Sequence, residues 1–171
     1  MPITLHANGT IEGVNNTNFN NSLPSGHVIQ VQSGFVNARL NTTSTSFTDI
    51  TGLTATLSNV QANSKVYIVT NAHLNTADAG IAMRLFRGST EISEPSTSGI
   101  DGAMVCNIDN FNLQVPAAHN FLDTTPGTGD ITYKWQWRTS SGSQTIYLNH
   151  YLGGSTNWGS TSSITLMEVV G

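Results

Sequence analysis

Residues 131–138 read ITYKWQWR, and their strict alternation constrains the fold more than any other feature of the chain. Ile131, Tyr133, Trp135 and Trp137 fall on one side of an extended backbone, with polar or charged residues between them. Successive side chains of a β-strand point to opposite faces, so this pattern predicts an antiparallel strand with one buried face. We expect the two tryptophans to pack in the core.

The same period of two recurs from His27 to the end of the chain. Tyr67 and Val69 lie opposite the main apolar face of their run, and Met167 and Val169 lie opposite that of the last run. No segment has a helical period, and Gly-, Ser- and Asn-rich turns separate the runs. This organisation predicts an all-β chain, an antiparallel β-sandwich of the jelly-roll type. Alternation is visible in residues 28–31, 53–57, 66–74, 81–86, 104–108, 111–115, 146–148 and 164–170.

Residues 1–26 differ from the rest because they are rich in Asn and Gly and have isolated apolar residues. Asn and Gly favour turns, so we interpret 1–26 as an extended N-terminal arm and 27–171 as the jelly-roll domain. The apolar residues of the arm are too few for a core of their own. We therefore expect them to contact a neighbouring subunit or a capsid: Ile3, Leu5, Ile11, Val14 and Phe19.

The low content of charged residues argues against a protein that binds nucleic acid. Only 9% of residues are charged, against about 25% in ordinary soluble domains. Six basic residues and a net charge of −4 argue against a nucleic-acid partner, which requires clustered Lys and Arg.

There is no long apolar run, so we expect no membrane insertion. The first residues lack a secretory signal, which predicts synthesis in a cytoplasm. Cys106 is the single cysteine of the sequence and is interpreted as a small buried hydrophobic residue.

The sequence contains no recognisable catalytic apparatus. No His has a second ligand at metal-binding spacing, and no nucleophile or nucleotide motif is present. We therefore expect no enzyme, no metal and no cofactor. Two carboxylates brought together by folding would revive a glycosidase, but no pair is singled out. Asp123 and Asp130 are expected to be solvated loop charges, as are the other dispersed acidic residues.

Three aromatic residues near the end of the chain form a candidate glycan contact. Trp158 lies in a loop of Gly, Ser and Asn, and Tyr147 and Tyr151 lie on the polar side of the preceding run. An exposed Trp beside Tyr can stack on a sugar ring. The alternative is favoured, namely that Trp158 packs against its own domain or a neighbouring subunit.

Several stretches in a fixed order carry a resemblance to a known family. The chain resembles short virion proteins of marine and freshwater phages, cyanophages among them. The resemblance covers most of residues 23–170. Its features are a Pro-Gly start, an Arg-Gly turn after an apolar strand, a Tyr-Lys strand and a closing strand that ends in Met-Glu. It is carried by LPSGHVIQVQSGFV (23–36), TSFTDITGLTATLSN (45–59), SKVYIVTNAHL (64–74), MRLFRGSTEI (83–92), ITYKWQWRTSSGSQTIYLN (131–149) and SSITLMEV (162–169).

The resemblance implies a trimeric jelly-roll protein on the exterior of a virion, with no catalytic motif to carry over. Two roles follow from it. A capsid cement or decoration protein would bind the major capsid protein through its jelly roll and arm. A tail-fibre or receptor-binding protein would bind other tail proteins and a host surface glycan. A short arm and low charge favour cement, because burying unpaired charge in a large contact is costly.

Overall fold

A computed structural model describes residues 4–5, 11–12, 23–76, 78–93, 102–108, 113–151 and 159–171. In this part of the chain all regular elements are strands, and no helix that could cross a bilayer is found. The strands are β1 (Thr4–Leu5), β2 (Ile11–Glu12), β3 (Val28–Val36), β4 (Leu40–Thr42), β5 (Thr48–Val60), β6 (Lys65–Thr76), β7 (Ala79–Arg87), β8 (Thr90–Glu91), β9 (Met104–Ile108), β10 (Val115–Asp123), β11 (Gly129–Thr139), β12 (Ile146–Leu148) and β13 (Ser162–Val169).

The eight strands of five residues or more form two antiparallel sheets. The first sheet has the order β3-β13-β6-β10, with the short β12 and β4 added beside β6. The second sheet has the order β5-β11-β7-β9, and β8 also pairs with β7. Counted along the chain, the eight strands therefore run 1-8-3-6 in one sheet and 2-7-4-5 in the other. This is the strand order of a jelly roll, and the predicted fold class is confirmed.

Strand β11 lies at the centre of the second sheet and has the alternation that its sequence predicts. Tyr133 and Trp135 are fully buried, and Trp137 is almost so. The indole Nε1 of Trp135 donates a hydrogen bond to Oγ1 of Thr70 in β6, at 2.9 Å. Because a buried indole N–H without a partner is costly, this bond fixes Trp135 against the first sheet. The core prediction for both tryptophans is confirmed.

Two glycines allow backbone geometry that other residues would resist. Gly52 in β5 has a φ of +86°. It lies where the pairing of β5 with β11 shifts register, as in a β-bulge. Gly34 in β3 lies where β3 passes close to β5, and a Cβ there would overlap the carbonyl oxygen of Thr54. The missing side chain therefore lets the edges of the two sheets approach each other.

Two predictions for the residues before position 124 are wrong, one about the strand at 111–115 and one about Asp123. Of the alternating residues Phe111, Leu113 and Val115, Val115 begins β10, whereas Leu113 is exposed and precedes that strand. Phe111 lies outside the described residues. Asp123 is not a solvated loop charge, because it ends β10 and is only 5% exposed. Its carboxylate binds Arg87, which lies 36 residues earlier in the chain, so the local sequence could not reveal the pairing.

Three short pieces of the predicted arm are described, residues 4–5, 11–12 and 23–26. β1 and β2 pair as an antiparallel two-stranded sheet, in which the backbone of Leu5 pairs with that of Ile11. The other three predicted contact residues of the arm, Ile3, Val14 and Phe19, lie outside the described residues. The role of these five residues as oligomer or capsid contacts therefore stays a prediction.

Candidate functional site

The predicted glycan contact is only partly described. Tyr147 in β12 and Tyr151 just after it are half-buried. The Tyr147 ring makes an edge-to-face contact with His150, with ring centroids 5.2 Å apart. Burial, together with the positive charge of Arg39, lowers the pKa of His150. Trp158 lies outside the described residues, so whether these aromatic side chains share one surface stays a prediction.

The described histidines and carboxylates do not converge on a metal site. Within the described ranges, no group of three or more His, Cys, Asp or Glu side chains is placed to hold a metal ion. Nδ1 of His73 lies 3.0 Å from the carbonyl oxygen of Thr161, which ties β6 to the start of β13. Burial raises the pKa of the Cys106 thiol to about 11, so this thiol stays protonated at neutral pH.

The most deeply held carboxylate belongs to Glu168 in β13, which has no exposed surface. Its Oε2 accepts a bond from Nε2 of Gln30 at 2.6 Å, and its Oε1 accepts one from the backbone N–H of Gln61 at 2.7 Å. Gln61 also lines a hollow of about 160 Å³, which is below the roughly 300–1,000 Å³ of ordinary ligand pockets. Glu168 thus holds strands together at the rim of the sandwich.

A second buried carboxylate, that of Asp123, joins three strands. Nη1 of Arg87 donates to both of its oxygens, at 2.9 and 2.7 Å, and the Tyr133 hydroxyl donates to Oδ2 at 2.8 Å. Burial and the neighbouring carboxylate raise the pKa of Tyr133. The hydroxyl therefore keeps its proton and remains a donor. This junction links β10 of the first sheet to β7 and β11 of the second sheet.

The outer face of the second sheet carries charged side chains that pair with one another. Lys134 Nζ lies 2.8 Å from Asp49, and Arg84 Nη1 lies 3.0 Å from Glu91. The guanidinium of Arg84 also lies over the ring of Phe47, 4.1 Å from its centroid, in a cation–π arrangement. On this face Lys134 and Arg84 are paired with carboxylates, as on an ordinary solvated surface, and the Arg138 guanidinium lies 5.6 Å from the centroid of the Phe47 ring.

The outer face of the first sheet is built differently. Outward positions follow from the pairing of β3, β13, β6 and β10, and they alternate with buried residues. Lys65, at one end, is the only charged side chain among them. We call this surface the first-sheet face; its residues are Val28, Val31, Ser33, Phe35, Lys65, Tyr67, Val69, Asn71, His73, Pro116, Ala118, Asn120, Leu122, Ser163, Thr165, Met167 and Val169.

An apolar row crosses the first-sheet face from edge to edge. Val31 pairs with Met167, Met167 with Tyr67, and Tyr67 with Leu122. Val31 and Leu122 at its ends are 50% and 45% exposed, and the two residues between them are half-buried. Single exposed apolar residues are normal on protein surfaces, whereas a contiguous row is a sign of an interaction surface. The next row along the strands has three polar uncharged residues and one valine: Ser33, Thr165, Val69 and Asn120.

The sequence contains a partial signal for this face. Tyr67 with Val69 and Met167 with Val169 give β6 and β13 apolar residues on both sides. Strands that are apolar on both sides are typical of sheets covered on both faces. The row itself could not be predicted, because it depends on which residues of four distant strands become neighbours.

Comparisons with known proteins do not show a family. No family model matches the sequence, and no curated protein matches it significantly. Among solved structures, the chain is similar to the crystal structure of infectious bursal disease virus VP2 subviral particle, with 12% identity and a TM-score of 0.36. The similarity covers 83% of this chain and 41% of that chain, so this chain spans about two fifths of the length of VP2. A similarity of this size carries no conclusion about function.

Proposed function

We propose that this chain is a non-enzymatic structural protein of a phage particle. In this proposal it forms trimers on the virion exterior and acts as a capsid cement or decoration protein that binds the major capsid protein. It requires no cofactor and contacts neither nucleic acid nor membrane. Its jelly roll and N-terminal arm supply the contact area that stabilises the shell.

The observation that carries the proposal is the first-sheet face. Among their described outward residues, the four long strands of the first sheet carry one formal charge, that of Lys65, and an apolar row, while Lys134 and Arg84 on the second sheet are paired with carboxylates. Depletion of charge, with Tyr and Met at the centre and small polar residues around them, is the composition of protein–protein contacts. The first-sheet face is therefore suited to binding another protein subunit in a particle.

The use of the carboxylates supports a non-enzymatic role. Asp123 and Glu168 are the buried acidic residues in the described part of the chain, and protein donors hold both of them. A glycosidase requires two carboxyl groups across a cleft that admits a sugar. These two carboxylates instead connect strands. The association with phage and the trimer come from the resemblance in sequence.

The copy number of the protein in purified particles tests the proposal. Quantitative mass spectrometry would measure it relative to the major capsid protein of the same phage. We expect a ratio near parity, because a cement protein must cover the shell. A few copies per particle would contradict cement and support a fibre, and absence from purified particles would refute a structural role altogether.

A receptor-binding role is the second candidate, and the aromatic contact between Tyr147 and His150 favours it. In this role Tyr147, Tyr151 and Trp158 would contact a host glycan. Phage that carry Tyr147→Ala or Trp158→Ala would then adsorb poorly to host cells while assembling normally. Phage with Phe47→Ala, on the opposite outer face, provide the control. Normal adsorption of both aromatic variants would remove this candidate.

A further inference from the structure

We propose that the first-sheet face is a two-fold contact between two copies of this chain. The inference deepens the proposed function and rests on it for the assumption that the chain assembles. It names the partner of this face as a second copy. The two-fold contact adds to the expected three-fold association, so that dimers form from single chains and hexamers from trimers.

Charge is the first reason for choosing a second copy as the partner. The chain has a net charge of −4, so two copies repel each other over most orientations. The first-sheet face has no carboxylate among its outward residues, and Lys65 lies at its end, beside Val169. Two copies that meet through this face therefore bury no acidic group and keep their lysines at the rim, where water remains available.

Symmetry is the second reason. A two-fold axis that runs along the strands, midway between β13 and β6, turns the row onto itself. Met167 of one copy then lies opposite Tyr67 of the other copy, and Val31 opposite Leu122. A contact of this kind needs a self-complementary surface, and an apolar row with an aliphatic residue at each end meets that condition. In the next row the same axis places Ser33 opposite Asn120, whose side chains can donate and accept hydrogen bonds, and Thr165 opposite Val69.

The area of the face is sufficient for such a contact. Four strands at about 4.8 Å spacing and eight residues at about 3.3 Å rise give a face of roughly 500 Å². Two such faces bury roughly 1,000 Å² together, which is the lower bound for a specific interface. Sheets packed face to face lie about 10 Å apart with interdigitating side chains. The half-buried Tyr67 and Met167 have the length for this spacing.

Two valine substitutions form a matched test. Val31→Glu places a carboxylate in the apolar row. Val105→Glu, in β9, makes the same change on the outer face of the second sheet, where Val105 is 58% exposed. Both side chains are exposed in a single chain, so both variants are expected to fold, and circular dichroism and thermal melting check this. Sedimentation equilibrium of the purified full-length chain and both variants then gives the masses.

We expect the unmodified chain to form an even-numbered oligomer, a dimer or a hexamer. Val31→Glu should halve that mass and weaken the two-fold association by roughly a hundredfold or more, because each contact would bury two like charges. Leu122→Glu should act in the same way, and Val105→Glu should leave the mass unchanged. An unmodified chain that remains monomeric or purely trimeric would overturn the inference. So would a Val31→Glu variant with the mass of the unmodified chain.

The two proposals can fail separately. A monomer in solution that is nevertheless present near parity in purified particles would leave the cement role standing and remove the two-fold contact. An oligomer that is sensitive to Val31→Glu but absent from particles would do the opposite.

Discussion

The junction at Asp123 gives a quantitative prediction about how the two sheets are held together. Its carboxylate accepts hydrogen bonds from Arg87 and from the hydroxyl of Tyr133, a residue with no exposed surface. The backbone N–H of Thr125 supplies a further bond at 3.1 Å. We consider Tyr133→Phe and Asp123→Ala, alone and combined, because each removes one side of the same contact.

The magnitudes follow from which groups lose their partners. Tyr133→Phe removes a hydrogen bond to a charged group and should lower the free energy of unfolding by about 2 kcal/mol. Asp123→Ala leaves the buried hydroxyl and the Arg87 guanidinium without a carboxylate. The Arg87 side chain is 25% exposed, so water relieves part of its cost, and we expect about 4 kcal/mol in total. In the double variant the hydroxyl is absent, so the loss should be about 4 kcal/mol rather than the sum of about 6 kcal/mol.

Urea unfolding monitored by tryptophan fluorescence measures these differences, since Trp135 and Trp137 are buried reporters. Protein concentration must be kept constant, because association adds apparent stability. Asp49→Ala provides the control: its pair with Lys134 is exposed on both sides, so the loss should stay below about 1 kcal/mol. Additive losses in the double variant, within about 0.5 kcal/mol, would refute the coupling through Asp123.

Three further predictions concern single positions. Gly34→Ala should lower the free energy of unfolding by at least about 3 kcal/mol or prevent folding, because its Cβ would overlap the β5 backbone. Gly142→Ala is the control in the same urea assay and should be tolerated, because a Cβ there makes only ordinary contacts. Asn149→Ala should lower the free energy of unfolding by about 3 kcal/mol. The fully buried Asn149 side chain donates from Nδ2 to the carbonyl oxygen of Val36 at 2.6 Å and accepts at Oδ1 from the hydroxyl of Ser162 at 2.7 Å, and its φ of +57° disfavours alanine. Burial lowers the pKa of His119, so the folded chain resists a proton that the unfolded chain binds, and stability should fall as pH drops below about 6.5. Urea midpoints between pH 7 and 5 should decline less in His119→Phe than in the unmodified chain or in a variant of the exposed His27; equal declines would contradict the assignment.

Much of the fold could be predicted because the sandwich buries one face of its long strands. The alternation in β6, β7, β11 and β13 is strong, and the buried positions there match it. Strand β10 was missed because its contrast is weak. Its inward residues include Ala117 and His119, its outward residues include Pro116 and Ala118, and the pattern resembles a loop. In the described residues β10 pairs only with β6, and an edge strand tolerates the proline that a central strand would exclude.

Charged contacts were the least predictable feature, since they depend on tertiary neighbours. Asp123 is the last residue of β10, a strand that the sequence does not predict, and its partners Arg87 and Tyr133 belong to the other sheet. An aspartate beside a Pro-Gly loop is usually exposed to water, so the local sequence around Asp123 predicts a solvated carboxylate. Only the packing of the two sheets removes its carboxylate from water, and that packing creates the need for both donors.

The first-sheet face shows how pairing registers turn a weak sequence signal into a surface. In a sandwich, a central strand requires one apolar side, so a second apolar side in β6 and β13 has no role within a single chain. Taken separately, Tyr67 and Met167 are unremarkable partly exposed residues. The register brings them together and places Val31 and Leu122 at the two ends. In the proposed two-fold contact the second copy covers this row, which would give the second apolar side of β6 and β13 a role.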